Sequence, residues 1–391
     1  MKIKSVSTIS LAPIDGMRIV VCRIDTDTGL HGLGEIGVAI VSGAYAAREM
    51  IEEFGRMIIG MDPLETDVIW DTLYRNSFWG VGSGAILMSA VSAIDTALWD
   101  IKGKFFDVPV HVLLGGKQQP RLRAYASQLQ MGWGVEHFTS NEKPEGFARA
   151  ALLAVDQGFT AVKANFIGLD RDGNRRHPRQ TLGFLDRDDI NLAEDRLGAV
   201  RDAVGPNVDI ICENHCITDV NTAIQYAKMY EKYGVLFLEE PAVPLTACNF
   251  RKIADNTSIP LATGERTYQC QGFLPLVTEG RISYAQPDIG SCGGPTEFKR
   301  IADLCRLYDV GVQAHTCSGP ISVAVALQCE CALANFAIHE HHVMNTLPGN
   351  VCLGRYNYQP KDGFFEVPDL PGFGQELSEL AMKDAVVHTV S

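Results

Sequence analysis

Short apolar runs, each closing on an ionisable residue, recur along most of this chain, with stretches of helical periodicity between them. From residue 121 onward the pattern predicts eight strands, at 122–129, 161–166, 208–213, 236–240, 260–265, 282–288, 311–316 and 336–341. Helical patterns fill the gaps, for instance at 223–232 and 296–308. Eight such units over about 230 residues fit a TIM-type (β/α) barrel, with an open doubly wound sheet as the competing arrangement. Before residue 121 the texture differs. Residues 1–36 read as a β-meander with strands at 3–11, 18–25 and 30–35 and a turn at Asp27-Thr28-Gly29. Helical patterns follow at 42–59, 62–76 and 83–103, the last apolar around most of its circumference and so expected to be buried.

The predicted fold is therefore α/β, with an α+β N-terminal domain at 1–118, a barrel at 119–350 and a C-terminal segment at 351–391 returning to the first domain. Residues 167–190, rich in Arg, Asp and Gly, are too polar for core and read as an excursion from the barrel top.

Composition narrows the function. The 391 residues are 46% hydrophobic and 21% charged, a globular balance long enough for two domains. No apolar run reaches the ~18–20 residues of a membrane span, and the N-terminus has no signal-like apolar core, so a cytoplasmic location is expected. The net charge of −13 argues against nucleic acid or an anionic membrane as partner. The eleven cysteines include no CxxC pair, which suggests reduced thiols rather than a disulfide framework or a cysteine-built zinc site.

Glu213, Glu239 and Glu265 are evenly spaced at 26 residues, and each closes a predicted strand. One βα unit fills each interval, so parallel neighbours bring the three carboxylates to one rim. Crowded hard anions call for a hard cation, and Mg²⁺ is the usual one. At the same rim lie Lys163 and Asn165, His215, Asp288, His315 and Glu340. Asp288 and His315 end consecutive strands, so a carboxylate–imidazole bond is expected to make His315 a general base. His215, two residues after Glu213, is expected on the same side as a second acid/base, with a supporting place behind Glu213 as the alternative. Lys163 and Glu340 read either as substrate contacts or as structural ion pairs. His339, His341 and His342 are not all expected to be functional, because the oxygen ligands specify a harder ion than a histidine zinc site would.

Glu213-x-His215, Glu239-Glu240-Pro241, Thr263-Gly264-Glu265-Arg266, Gln286-Pro287-Asp288 with Gly293-Gly294, and His315 together resemble the mandelate racemase subgroup of the enolase superfamily. Residues 93–100 and 113–117 are similar to that family's capping region. The resemblance spans nearly the whole chain and is nearest to acid-sugar dehydratases of the galactonate dehydratase type. It implies a Mg²⁺ site and a capping domain whose loops, here at 14–20 and 36–45, close over the substrate. It also implies a homo-oligomeric assembly, α-proton abstraction by His315, and protonation of the departing β-hydroxyl by His215. Lys163-Ala164-Asn165 lacks the second lysine of the family's KxK signature, which disfavours Lys/His racemisation. Glu213 stands where many relatives have Asp.

The expected activity is Mg²⁺-dependent dehydration of an aldonate or aldarate to a 2-keto-3-deoxy acid. Lys163, Asn165 and Glu340 are the expected substrate contacts, with Glu213, Glu239 and Glu265 on the metal. The alternatives are a racemase, epimerase or cycloisomerase, and a non-catalytic sugar-acid-binding barrel.

Overall fold

The computed structural model describes residues 1–13, 17–39, 43–134 and 142–391. The N-terminal part runs β1 (Ile3–Ser10), β2 (Val20–Thr26), β3 (His31–Glu35), α1 (Gly43–Ile58), α2 (Thr66–Asn76), α3 (Ala85–Phe106) and α4 (Val110–Leu113). Alternation then continues through β4 (Arg121–Ser127), α5 (Pro144–Asp156), β5 (Ala161–Ala164), α6 (Arg187–Val204), β6 (Asp209–Glu213), α7 (Val220–Tyr230) and β7 (Val235–Glu239). Next come α8 (Ala247–Ala254), β8 (Leu261–Thr263), α9 (Gln269–Thr278), β9 (Tyr284–Ala285), α10 (Gly294–Leu307), β10 (Gly311–Val312) and α11 (Pro320–Glu330). The chain ends with β11 (His339–His342), β12 (Phe364–Glu366) and β13 (Val386–Val390).

β1, β2 and β3 form an antiparallel sheet that packs on α1 and α3. Its glycines explain how closely it lies on α3. A Cβ on Gly32 would stand 2.0 Å from the Ala97 carbonyl oxygen, and one on Gly34 2.0 Å from that of Ala93. Strand backbone thus rests directly on a helix face of small residues, and most of α3 is enclosed as its all-round apolar pattern requires. Of the two capping loops expected to cover the site, residues 14–16 and 40–42 lie outside the described residues.

The second sheet is parallel in the order β10-β9-β8-β7-β6-β5-β4-β11. Val312 pairs in parallel with Phe336, just ahead of β11, and donates to the Asn335 carbonyl at 2.8 Å, which closes the sheet into a barrel. The tail divides between the two sheets. β12 lies antiparallel on β4, and β13 lies antiparallel on β1 with Val6 opposite Val390.

All eight expected barrel strands form, but several are shorter than the apolar runs suggested. β9 ends before Pro287, which has no N–H to continue a ladder. β8 ends at Thr263, just before Gly264, where a Cβ would stand 2.5 Å from the Gln286 backbone. Catalytic-looking groups therefore sit on the turns just beyond the strands. In the excursion, Leu169 pairs with Arg175 in a hairpin, and the Asp170 carboxylate accepts from the N–H groups of Asp172 and Asn174. Buried Arg196 on α6 anchors its base by donating to the carbonyls of Phe166, Leu169 and Asp170. Among the described residues no helix is long and apolar enough to cross a membrane.

Candidate active site

β6 and β7 are in register with Glu213 opposite Glu239, so two carboxylates are neighbours by strand pairing alone. Glu265 joins them from the turn after β8. One oxygen from each of the three lies within 4.8 Å of the others, which is close enough for a single ion between them. Amides aim the first two: Gln128 Nε2 donates to Glu213 Oε2 at 2.7 Å, and Gln286 Nε2 to Glu239 Oε2 at 2.6 Å. Glu265 is steered by Arg266, whose Nη1 lies 2.8 Å from Oε1, while Arg266 Nη2 lies 3.2 Å from Glu240.

Three hard oxygen donors, two of them fully buried, suit a hard divalent cation. Among the described residues, buried Glu213 Oε1 meets the His215 ring at 2.7 Å and accepts no other hydrogen bond, which leaves it a lone pair for a metal. Burial, with the charges of Glu213 and Glu340, pushes Glu239 up to about 8 despite Lys163. Glu213 is driven the other way: burial raises it, but His215 and Lys163 overcome that and hold it well below the usual carboxylate range. Carboxylates forced so far apart are a cluster short of positive charge.

Lys163 supplies part of that charge from within. It is fully enclosed, with Nζ 2.5 Å from Glu239, 2.8 Å from Glu340 and 3.6 Å from Glu213. Glu340 is equally committed: Ser127 Oγ donates to Oε1 at 2.7 Å and Thr316 N–H to Oε2 at 3.0 Å. Substrate contact by either group requires these bonds to open. Lys163 and Glu340 are thus paired with each other in this structure.

His315 Nδ1 lies 2.7 Å from Asp288 Oδ2, and its Nε2 faces the cluster, 3.4 Å from Glu265 Oε2. Burial lowers the imidazole, yet Glu265 and the Asp288 bond outweigh it and raise it well above the ordinary histidine range. On the other side, His215 Nε2 is 2.7 Å from Glu213 Oε1. Strand alternation does not bring it there. β6 has ended at Glu213, and the turn through His215 (φ 46°) and Cys216 (φ 56°) folds the ring back. That corrects the physical basis of the expectation for this residue.

Asn165 meets His215 through Nδ2, 2.8 Å from Nδ1, and its own Oδ1 accepts from Ile167 N–H at 3.0 Å. That amide orientation suits a ring protonated on Nε2 only. Burial lowers the His215 imidazole, but the Glu213 charge prevails and pushes it up to about 9. A charged ring requires the amide to turn its oxygen toward Nδ1.

The three neighbouring histidines serve the frame. His339 Nδ1 pairs with buried Glu330 at 2.5 Å, and His342 Nδ1 accepts from Met344 N–H at 3.1 Å. His341 lies flat against Phe159, edge-on to Trp133 and Phe365. Sequence reasoning passed over Gln128 and gave no role to Gln286, Arg266 or Glu240. The last three lie within motifs already singled out, whereas Gln128 carried no signal beyond its place at a strand end.

Residues 3–115 match the profile of the mandelate racemase / muconate lactonizing enzyme N-terminal domain, and residues 146–381 that of the enolase C-terminal domain-like family. A D-galactonate dehydratase of Verminephrobacter eiseniae is 33% identical over 97% of this chain and 93% of its own length. One from Variovorax paradoxus is 31% identical over 99% and 94%. A crystal structure of an enolase superfamily member from Salmonella Typhimurium is 46% identical, with a TM-score of 0.97 over the full length of both chains.

Proposed function

This chain belongs to the mandelate racemase / muconate lactonizing enzyme family of the enolase superfamily, and from that premise we propose that it is a Mg²⁺-dependent dehydratase of a sugar acid. The single observation that carries the reading is the pair of imidazoles flanking one carboxylate cluster, His315 at Glu265 and His215 at Glu213. Glu213, Glu239 and Glu265 would hold the ion, which when bound supplies Lewis-acid stabilisation of charge developing on the substrate carboxylate.

The chain's own groups then move two protons. His315 Nε2 takes the proton from the carbon bearing the carboxylate, with Asp288 fixing the ring through Nδ1. The freed electron pair forms the C2–C3 double bond as the C3–oxygen bond breaks. His215 delivers its Nε2 proton to the departing hydroxyl, which leaves as water. The resulting enol tautomerises to a 2-keto-3-deoxy acid. Lys163 acts as internal counter-charge to Glu239 and Glu340, and Asn165 orients His215. The galactonate dehydratase relatives support a sugar acid as substrate.

A second reading has one specific observation in its favour. His215 stands across the cluster from His315, so it could return a proton to the α-carbon and make the enzyme an epimerase. Screening aldonic and aldaric acids with Mg²⁺ separates the two. Dehydration yields a 2-keto product that semicarbazide traps; epimerisation yields α-deuterium in D₂O with no keto product.

A further inference from the structure

The capping sheet ends against both loops that carry the Asp288–His315 pair. Gly37 N–H, just beyond β3, donates to the Gly290 carbonyl at 2.8 Å. The approach is close: a Cβ on Gly37 would stand 2.6 Å from Asp288 Oδ1, and one on Gly290 2.6 Å from Gly37 N. The last residue of β3 reaches the other loop. Glu35 is 2% exposed, and its carboxylate accepts from Gly319 N–H and, at 3.1 Å, from Ser322 N–H.

Those two N–H groups belong to the first turn of α11, which has no intrahelical acceptors for them. Gly319 is the N-cap residue and has no side chain with which to cap the helix itself. Glu35 therefore caps α11 from a different domain, a favourable place for a negative charge. The fit is tight from the other side too, since a Cβ on Gly319 would lie 2.9 Å from Glu35 Oε1. Between this cap and the site there are only three residues: Thr316, Cys317 and Ser318. Thr316 N–H holds Glu340, and His315 comes immediately before. Glu35, Asp288, His315 and Ser318 line one small cavity of about 10 Å³, room for a single water. Burial pushes Glu35 up to about 7, although both backbone donors pull it down.

We infer that Glu35 is a positioning residue for His315: by capping α11 from the capping domain it fixes the 315–319 loop, and with it the ring that Asp288 orients. The inference rests on the reading of His315 as the base. It makes the reactive geometry depend on how the capping domain is seated. The Glu35 carboxylate is engaged by the α11 N–H groups and lies outside the three-carboxylate cluster, so its loss should be felt in turnover rather than in binding.

The test compares Glu35→Ala, Glu35→Gln and Gly319→Ala with wild type and with Thr8→Val. The last removes a capping-domain hydrogen bond to Glu52 away from the site and controls for general loss of stability. With the best sugar acid from the screen, Glu35→Ala and Gly319→Ala should lower kcat about 10- to 100-fold with KM within about threefold, and Glu35→Gln should recover part of the loss. Crystal structures of the same variants should show the 315–319 loop displaced and His315 parted from Asp288, a readout that needs no substrate. Thr8→Val should lose stability alone. Wild-type kcat in both Glu35→Ala and Gly319→Ala, or His315 still within 2.7 Å of Asp288 in their structures, overturns the inference. The underlying reading fails separately, if His315→Asn retains α-proton exchange.

Discussion

Asp288 Oδ2 and His315 Nδ1 lie 2.7 Å apart although β9 and β10 both stop short of them; an isolated parallel bridge carries the pairing beyond the strands. The pair is thus held by two turns rather than by a continuous ladder. His315→Asn should abolish exchange of the substrate α-proton with D₂O. Asp288→Asn should leave exchange measurable but slower, by on the order of 10²-fold, because it upsets tautomer and orientation without removing the base. Proton NMR of the recovered substrate reads both, and full exchange in His315→Asn would remove it as the base.

Magnesium should stabilise the protein through the three-carboxylate cluster. At 100 times its Kd the ion contributes about 2.7 kcal/mol, seen as a higher Tm that EDTA reverses. Glu239→Gln should weaken binding at least about tenfold by calorimetric titration. An unchanged Mg²⁺ isotherm in that variant would place the ion elsewhere.

Lys163 is the buried cation between Glu239 and Glu340. Lys163→Met leaves those carboxylates without it and should cost about 3–5 kcal/mol in metal-free buffer. Saturating Mg²⁺ should restore part of that loss, since the ion offsets the same repulsion. Urea unfolding with and without Mg²⁺ measures the difference; equal midpoints for variant and wild type without metal would show that Lys163 is not the counter-charge.

Acid should destabilise the fold through two enclosed histidines. Burial holds His341 down to about 3 and His342 to about 4, so both are neutral in the folded chain. The unfolded chain binds protons from about pH 6.5 downward. Their stabilising contribution is therefore complete above about 6.5 and is lost as pH falls toward 3–4, at up to about 1.4 kcal/mol per pH unit for each. His341→Phe fits the same aromatic slot and removes one of the two. Its urea midpoint should fall less between pH 7 and pH 5 than that of wild type; an equal fall would exonerate His341.

Much of the candidate site was legible because it depends on short-range regularities. Strand runs and the length of a βα unit were enough to bring Glu213, Glu239 and Glu265 to one rim, where their ligand oxygens come within 4.8 Å of one another. The same reasoning paired Asp288 with His315 across adjacent strands. It gave a weaker account of His215, whose approach to Glu213 comes from left-handed turn residues that alternation does not foresee. Gln128 and Gln286 escaped notice because an amide's importance lies in what it touches.

By itself, then, the amino-acid order determined the barrel, the capping layer and the row of acids at one edge, since each follows from local periodicity and chain length. Tertiary structure alone decided that Lys163 is sealed among carboxylates and that Glu35 caps a helix almost three hundred residues away. Those contacts join segments remote in sequence. Burial and the docking of one domain on another select them, and no spacing along the chain encodes either.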